Sequence, residues 1–372
     1  NLVSLCRTLL RISAPHQGAS TNEEFWRSTG DQLLGATFDL FLLAGVEITF
    51  DRLVEFINEA PTKPWSDVDG LPQDSTFAAV LEMAKAGVRS QEDGRILQRA
   101  LDYWQITYTG LADKTRTSIT AGIIAMLDTF RGRGVTDLVS SETNITPESI
   151  LSGKIVVLDL PIKEMEQTGL LVQSAWKYIF QKALERQGGA GELTRRPVFL
   201  WEDEGQFFFS EHDHHFQATA RSSRVAHVVL SQNLHNFYQQ FGSGAHEIAN
   251  SIFGNLNTKI FHANSDPTTN EWAARQFGTE VRMKFGFSTS PPARSQGFWG
   301  AMRDAIEPPP GNNSVSFQEH REYAIQPEEF ARLRKGGRAN DFQVDALITW
   351  LGLSTQDGKH SIGTTFNQNP KL

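Results

Sequence analysis

The sequence is poor in cysteine: Cys6 is the only one in 372 residues. No disulfide framework and no Cys-based zinc site can be built from it, which fits a reducing, cytosolic setting. It has no apolar run long enough to span a bilayer as a helix. It also lacks an excess of positive charge. The formal net charge is −8, which argues against a simple basic DNA-binding module while leaving room for a locally basic channel lining. No internal repeat is evident. The pattern G-x-x-x-x-G-K-[ST] occurs nowhere in the chain, so a phosphate cradle of backbone amides and a lysine is missing from residues 1–372. The sequence opens on Asn1 rather than Met, in what reads as a helix already under way, and is expected to be a fragment of a longer chain.

What is present has a globular composition, 39% hydrophobic and 21% charged, with enough length for two domains or one with a large insertion. Leu2, Leu5, Cys6, Leu9 and Leu10 recur at helical spacing until Pro15 ends the helix. Thr21 and Glu24 form a capping box ahead of a stripe of Phe25, Trp26, Leu33, Leu34, Thr37, Phe38, Phe41 and Leu42. Further helices are predicted over 50–57, 77–86, 91–104 and 115–130, and residues 17–112 read as an all-α unit. Beyond that the periodicity changes. Strands are predicted over 154–160, 198–201, 226–230, 259–262 and 345–350, with helices over 170–184, 215–221 and 270–277 and a short one from Pro327. Alternation of this kind argues for a parallel α/β sheet. Residues 286–314, rich in Ser, Gly, Pro and Asn, read as a loop excursion without a core of its own.

The chemistry concentrates at strand ends. Val198-Phe199-Leu200-Trp201 suits a strand buried on both faces and breaks into Glu202-Asp203-Glu204. An open α/β sheet binds its ligands at the carboxyl ends of its strands. Asp203 and Glu204 are therefore the candidate catalytic pair. An apolar strand followed by Asp-Glu is the Walker B pattern, in which the Asp holds magnesium and the Glu polarises the attacking water; a strand running into a solvated acidic turn has the same letters. The strand over 226–230 ends in Ser231-Gln232-Asn233, and Gln232 is a candidate for the γ-phosphate or the attacking water, with an ordinary polar turn residue as an equal alternative. Arg221 and Arg224 precede that strand. Their forked, permanently charged groups suit a phosphoryl group across a subunit interface, or else surface ion pairs. Glu211-His-Asp-His-His215 invites a metal reading, but histidines at i, i+2 and i+3 do not converge well on one ion, and a solvated loop is expected there. Asp266-Pro267 reads as a helix start.

In their order these blocks resemble the TraG/TraD family of type IV secretion coupling proteins, the DNA-transfer ATPases of conjugation. The pieces that carry the resemblance are Phe25-Trp26 with Leu33-Leu34, Lys154 to Pro161, Val198 to Glu204, Arg221 to Gln232, Asn255 to Thr268 running into Glu271 to Gly278, and Ser314 to Gly337 with Pro327-Glu328-Glu329-Phe330. They cover nearly the whole chain, and their order is more specific than any one of them. The resemblance implies a RecA-like P-loop NTPase sheet of the FtsK/HerA type with an inserted all-α domain. Residues 1–16 would be a helix of the nucleotide-binding domain, 17–112 the all-α domain and 113–372 the remainder of the nucleotide-binding domain. It implies ATP and Mg²⁺ as cofactors, with Asp203 on the metal, Asp203, Glu204 and Gln232 about the nucleotide, and Arg221 or Arg224 acting on a neighbour in a homohexamer. It implies a membrane anchor upstream, at the cytoplasmic face of the bacterial inner membrane. The implied partners are DNA or relaxosome nucleoprotein, effector proteins and components of the secretion channel. In that family the Walker A loop precedes the segment matching Asn1. There are two departures: Trp201-Glu202 stands where the strand is usually apolar throughout, and Arg221-Ser-Ser-Arg224 lacks the glycine often seen after the arginine. Two other readings stay open. One is a nucleotide-independent recruitment platform built on residues 17–112, which the acidic balance favours over bare duplex binding. The other is a related hexameric DNA translocase.

Overall fold

The computed structural model describes residues 2–13, 21–65, 71–72, 74–132, 134–140, 142–187, 196–241, 245–290, 296–307, 312–352 and 354–369. They fall into two compact units, one of Asn1–Ser231 with Asn236–Asn255 and the other of Gln232–His235 with Leu256–Leu372.

The first unit opens with helices α1 (Leu2–Ser13), α2 (Thr21–Ala44), α3 (Phe50–Asn58), α4 (Thr76–Ala86), α5 (Gln91–Asp102), α6 (Asp113–Asp128) and the single turn α7 (Thr136–Val139). Local chemistry sets several of the starts. Thr49 caps α3 by accepting from the Arg52 amide at 3.3 Å, Ser75 caps α4 by accepting from the Ala78 amide at 3.1 Å, and Ser90 with Asp93 closes a capping box on α5. The predicted capping box at Thr21 and Glu24 rests on side chains outside the described residues. α5 runs on as a π-helical stretch over Tyr103–Tyr108, which turns Tyr103, Trp104 and Tyr108 all inward. Phe41, Phe77 and Trp104 surround Phe56 at ring-centroid separations of 5.3, 4.6 and 5.4 Å. One core of buried residues runs without a break from Cys6 and Leu9 through Leu33, Phe56, Trp104 and Leu127 to Leu171. Gly87 lets two helix ends meet, because a Cβ there would sit 1.8 Å from the Leu43 carbonyl oxygen.

The α/β part of this unit is α8 (Ile162–Gln187), β1 (Val198–Glu202), α9 (Glu211–Thr219), β2 (Val225–Val229) and α11 (Ala245–Asn255); α10 (Leu234–Phe241) begins in the second unit and ends in the first. β1 and β2 pair in parallel, Val198 opposite Val225 through Glu202 opposite Val229. Phe180 and Leu184 of α8 and Phe216 and Ala220 around α9 pack with Val198 and Val225.

The second unit carries β3 (Thr258–Phe261), α12 (Pro267–Phe277), β4 (Thr279–Ser290), α13 (Phe298–Ile306), β5 (Asn312–Tyr323), α14 (Pro327–Arg332), β6 (Gln343–Trp350) and β7 (Ser361–Asn367). β3, β6 and β7 form an antiparallel sheet in the order β3-β6-β7. Phe330 of α14 fills its core with Ala273 and Ala274 of α12.

Several expectations are corrected. Residues 154–160 form no strand and join no ladder among the described residues, and Ile155 is 92% exposed; strand propensity reports a preference and not a partner. β1 is not buried on both faces. Val198 and Glu202 point inward, while Phe199 and Trp201 are 59% and 67% exposed, since α8 and α9 cover one side only. The strand over 258–261 does not extend the parallel pair but lies antiparallel to β6, and β7 follows a strand that was expected to be the last. Glu211 to His215 is no solvated loop: it opens α9 with a capping box from Ser210 and Asp213, and Asp213 is wholly buried. Of residues 286–314, most of the described ones are no loop either: 286–290 and 312–314 lie in the β4–β5 ladder and Phe298–Ile306 forms α13.

Candidate functional site

Asp203 and Glu204 stand at the carboxyl end of β1, at the point where the ladder is stitched past the strand end. The Leu230 amide donates to the Glu202 carbonyl at 2.9 Å, and the Gly205 amide donates to the Leu230 carbonyl at 2.9 Å. The turn between them places Glu204 in the left-handed region, φ 48° and ψ 43°. That conformation costs a residue other than glycine on the order of 1–2 kcal/mol, so the surrounding bonds hold it in place. Gly205 allows the tight passage beneath, because a Cβ there would lie 2.5 Å from Val229 Cγ1. Asp203 is exposed and its Oδ1 accepts from the Glu204 amide at 3.0 Å. A solvent-facing carboxylate of this kind suits a hard cation such as Mg²⁺.

Glu204 is gripped by its neighbours. Its Oε2 accepts from Gln206 Nε2 at 2.6 Å, and Gln206 Oε1 in turn accepts from the Ser231 hydroxyl at 2.7 Å. Gln206 is buried. The side chain of Glu204 is thus tied through one amide to Ser231, the last residue of the first unit before the chain passes to Gln232.

A buried ionic cluster supports the strand end from below. Lys177 of α8 reaches Glu202 Oε1 at 2.8 Å and Asp213 Oδ1 at 2.7 Å, and donates to the Phe208 carbonyl at 2.9 Å. Its ammonium lies 4.6 Å from the centre of the Phe209 ring. His227 of β2 sits 3.1 Å from Glu202 through Nε2, and its Nδ1 faces the Gln217 amide. Asp213 also accepts from Gln181 at 2.7 Å and from the Ser210 amide at 2.6 Å. Burial alone would drive the Lys177 ammonium toward neutrality, but the carboxylates of Asp213 and Glu202 more than offset it and hold its pKa above the ordinary value. Burial works equally against ionised Asp213, and Lys177 with the hydrogen bonds from Gln181 and Ser210 overcomes it and holds that carboxyl below the usual range.

The other expected site residues lie elsewhere. Arg221 and Arg224 belong to the turn that enters β2, where the Val198 amide donates to the Arg224 carbonyl at 3.0 Å. This is the amino-terminal end of the two strands, opposite the end that carries Asp203 and Glu204. A five-residue strand spans roughly 16 Å, so the arginines and the acidic pair of one chain do not share a site. Arg221 and Arg224 line a surface pocket with Ala218, Thr219 and Ser222, and Arg224 takes a left-handed φ of 53°. Gln232 belongs to the second unit, where its carbonyl accepts from Asn264 Nδ2 at 2.7 Å. Asp266 caps α12, accepting from the Thr269 amide at 3.0 Å, as expected of a helix start. Among the described residues no group of three or more His, Cys, Asp or Glu is placed to hold a metal ion, and no helix is long and apolar enough to cross a membrane.

Sequence reading missed Gln206, Ser231, Lys177 and His227. One signal was available. A carboxylate inside an otherwise apolar strand, Glu202, requires a buried cation, and Lys177 lies on the helix that precedes that strand.

The fold defines the class. Three solved structures superpose on the chain: a bacterial conjugative coupling protein, TrwBdeltaN70 in its unbound monoclinic form, at TM-score 0.51 and 13% identity, covering 99% of this chain and 68% of that one; the plasmid coupling protein TrwB in complex with the GTP analogue GDPNP, at 0.50 and 14%, covering 100% and 71%; and TrwB in complex with the ATP analogue ADPNP, at 0.52 and 13%, covering 100% and 71%. The chain thus has the fold of a RecA-like P-loop NTPase with an all-α domain. Residues 197–335, from β1 through α14, match the family described as the TraM recognition site of TraD and TraG. Over that stretch the chain is similar to the TraG/TraD type of coupling protein. No curated protein matches it in sequence.

Proposed function

We propose that this chain is the magnesium-and-water side of a conjugative coupling motor that turns over ATP to drive DNA or nucleoprotein into a type IV secretion channel. The observation that carries the reading is Glu204: an acid in a left-handed turn at the carboxyl end of a parallel strand, fixed by Gln206, next to an exposed Asp203. Asp203 would hold Mg²⁺, which when bound neutralises charge on the transferring phosphoryl group. Glu204 would orient and deprotonate the attacking water, and Gln206 would keep its carboxylate aimed. Gln232, one residue beyond Ser231, would report the γ-phosphate. Arg221 and Arg224, at the opposite end of the strands, suit the nucleotide of a neighbouring copy in a homohexamer better than their own. The nucleotide-bound state of the solved relatives supports this reading. Residues 1–372 contain no phosphate-binding loop, so the 372-residue chain alone should show almost no turnover.

Residues 17–112 would form the inserted all-α domain facing DNA or relaxosome and effector proteins, with the motor held at the cytoplasmic face of the inner membrane. The test is ATPase activity of the protein expressed from its complete reading frame, wild type against Glu204→Gln. Turnover should vanish while binding of a fluorescent ATP analogue persists; normal turnover by the variant would refute the assignment. A recruitment platform without nucleotide chemistry predicts no effect of Glu204→Gln on transfer.

A further inference from the structure

The β4–β5 ribbon has two unlike faces. In an antiparallel pair, directly opposed residues point the same way. Met283 faces Glu319, Phe285 faces Phe317 and Phe287 faces Val315, while on the reverse side Glu280 faces Glu322, Arg282 faces His320 and Lys284 faces Gln318. The reverse side is a charged surface that satisfies itself: Arg282 bonds Glu280 at 2.7 Å, and Lys284 pairs with Glu322. The first side is apolar and open. Val281, Met283, Phe285, Phe287, Val315 and Phe317 are each between 51% and 72% exposed, and Phe285 and Phe317 stack on each other, edge to face at 5.2 Å. At the far end α13 adds Phe298, Trp299, Met302 and Ile306, all more than half exposed.

From the areas aromatic and aliphatic side chains normally bury, the ribbon face presents on the order of 600 Å² of apolar surface, or about 1,200 Å² over two copies. The largest patch on an ordinary monomer is roughly 300–600 Å², and a standard interface takes about 800 Å² from each partner.

We propose that this ribbon is a self-association arm, whose apolar face packs against the same face of a second copy of this chain. Charge selects that occupant. The ribbon carries three acids, Glu280, Glu319 and Glu322, and three bases, Arg282, Lys284 and Arg321. A neutral surface of mixed sign gives neither a phosphate backbone nor an anionic bilayer anything to bind. It does suit a two-fold contact, where residue i of one copy meets j of the other and j meets i. Glu319 and Arg321, an acid and a base two residues apart at the edge of the apolar face, supply such a complementary pair. Two ribbons packed face to face at about 10 Å would bury the phenylalanines of both, as two sheets do in a sandwich. The arm belongs to the second unit and makes no use of Asp203 or Glu204, so the inference stands independently of the ATP reading.

The test uses the full chain. Sedimentation velocity across a concentration series should show reversible association of the wild type, weakened at least tenfold by Phe285→Glu with Phe317→Glu, while the melting curve stays in place. Val315→Cys should form a disulfide-linked dimer under mild oxidation. The native cysteine will not interfere, because Cys6 is buried. This variant keeps the proposal testable should the double substitution fail to fold. A monomeric wild type, an association indifferent to the double variant, or a Val315→Cys chain that remains uncrosslinked would each overturn the arm. So would a monomeric wild type that floats with neutral phosphatidylcholine vesicles through the same phenylalanines, which would assign the face to lipid.

Discussion

Replacing Lys177 by Met removes the cation that answers both Glu202 and Asp213, two acids buried beneath the strand that carries the acidic pair. Removing one partner of a buried ion pair costs about 3–5 kcal/mol, because a charge is left uncompensated in the interior. Here two carboxylates lose their counter-ion. Asp213 retains its bonds from Gln181 and Ser210, while Glu202 retains only the neighbouring His227, which places the loss toward the upper end of that range. In urea the midpoint of the first unit should fall by about 1–2 M.

The loss should also depend on pH in a defined direction. In the wild type, Asp213 has its pKa held below the ordinary carboxyl value, so its contribution is present above that value and fades as pH falls through the depressed folded one. Lys177 has its pKa held above 10.5, so its contribution is present below that value and fades as pH rises through the folded one. Wild-type stability from this cluster is therefore flat across neutral pH. In Lys177→Met, Asp213 keeps the burial that raises its pKa and loses the cation that lowers it, and protonation relieves it, so the deficit should shrink on acidification. Adding Glu202→Gln to Lys177→Met should recover part of the loss at neutral pH. Urea titrations followed by circular dichroism at neutral and mildly acid pH read all of this. A Lys177→Met chain within about 1 kcal/mol of wild type at neutral pH, or a deficit that ignores pH, would show that the cluster does not carry the strand end.

Two further outcomes are expected. Gly87→Ala should destabilise the helical part by about 3 kcal/mol or more, since the added Cβ meets the Leu43 carbonyl and backbone cannot step aside as a side chain can; a thermal melt unchanged from wild type would contradict that approach. Burial pushes the Cys6 thiol pKa up to about 12, so thiol reagents should label the native chain very slowly and the urea-unfolded chain at once, and rapid native labelling would show α1 to be detached from the core.

The helical stripes, the caps at Thr49 and Ser75 and the helix start at Asp266 follow from the sequence because each is decided within a few residues. So is the chemistry of Val198 to Glu204, where apolar residues run abruptly into acids. Partners distant in the chain are set by tertiary structure. Residues 154–160 and 198–201 look alike as letters, yet among the described residues only the second finds a neighbour to pair with. Asp213 sits in a run of charged and histidine residues that reads as solvated, and only the approach of Lys177 from a helix thirty-odd residues earlier makes it an interior ion. Gln206 looks like a loop amide until Glu204 and Ser231 take its two ends. The alternation of Val281, Met283, Phe285 and Phe287 is legible as a strand, but that its apolar side stays uncovered depends on what the rest of the fold leaves beside it. The sequence by itself determined that a run of acids follows a strand, and so which residues are candidates for magnesium and water chemistry, since that depends on functional groups and their local order. Only the tertiary structure decided that the arginines stand at the other end of the strands from the acids, because strand direction and pairing are settled by contacts far apart in the chain.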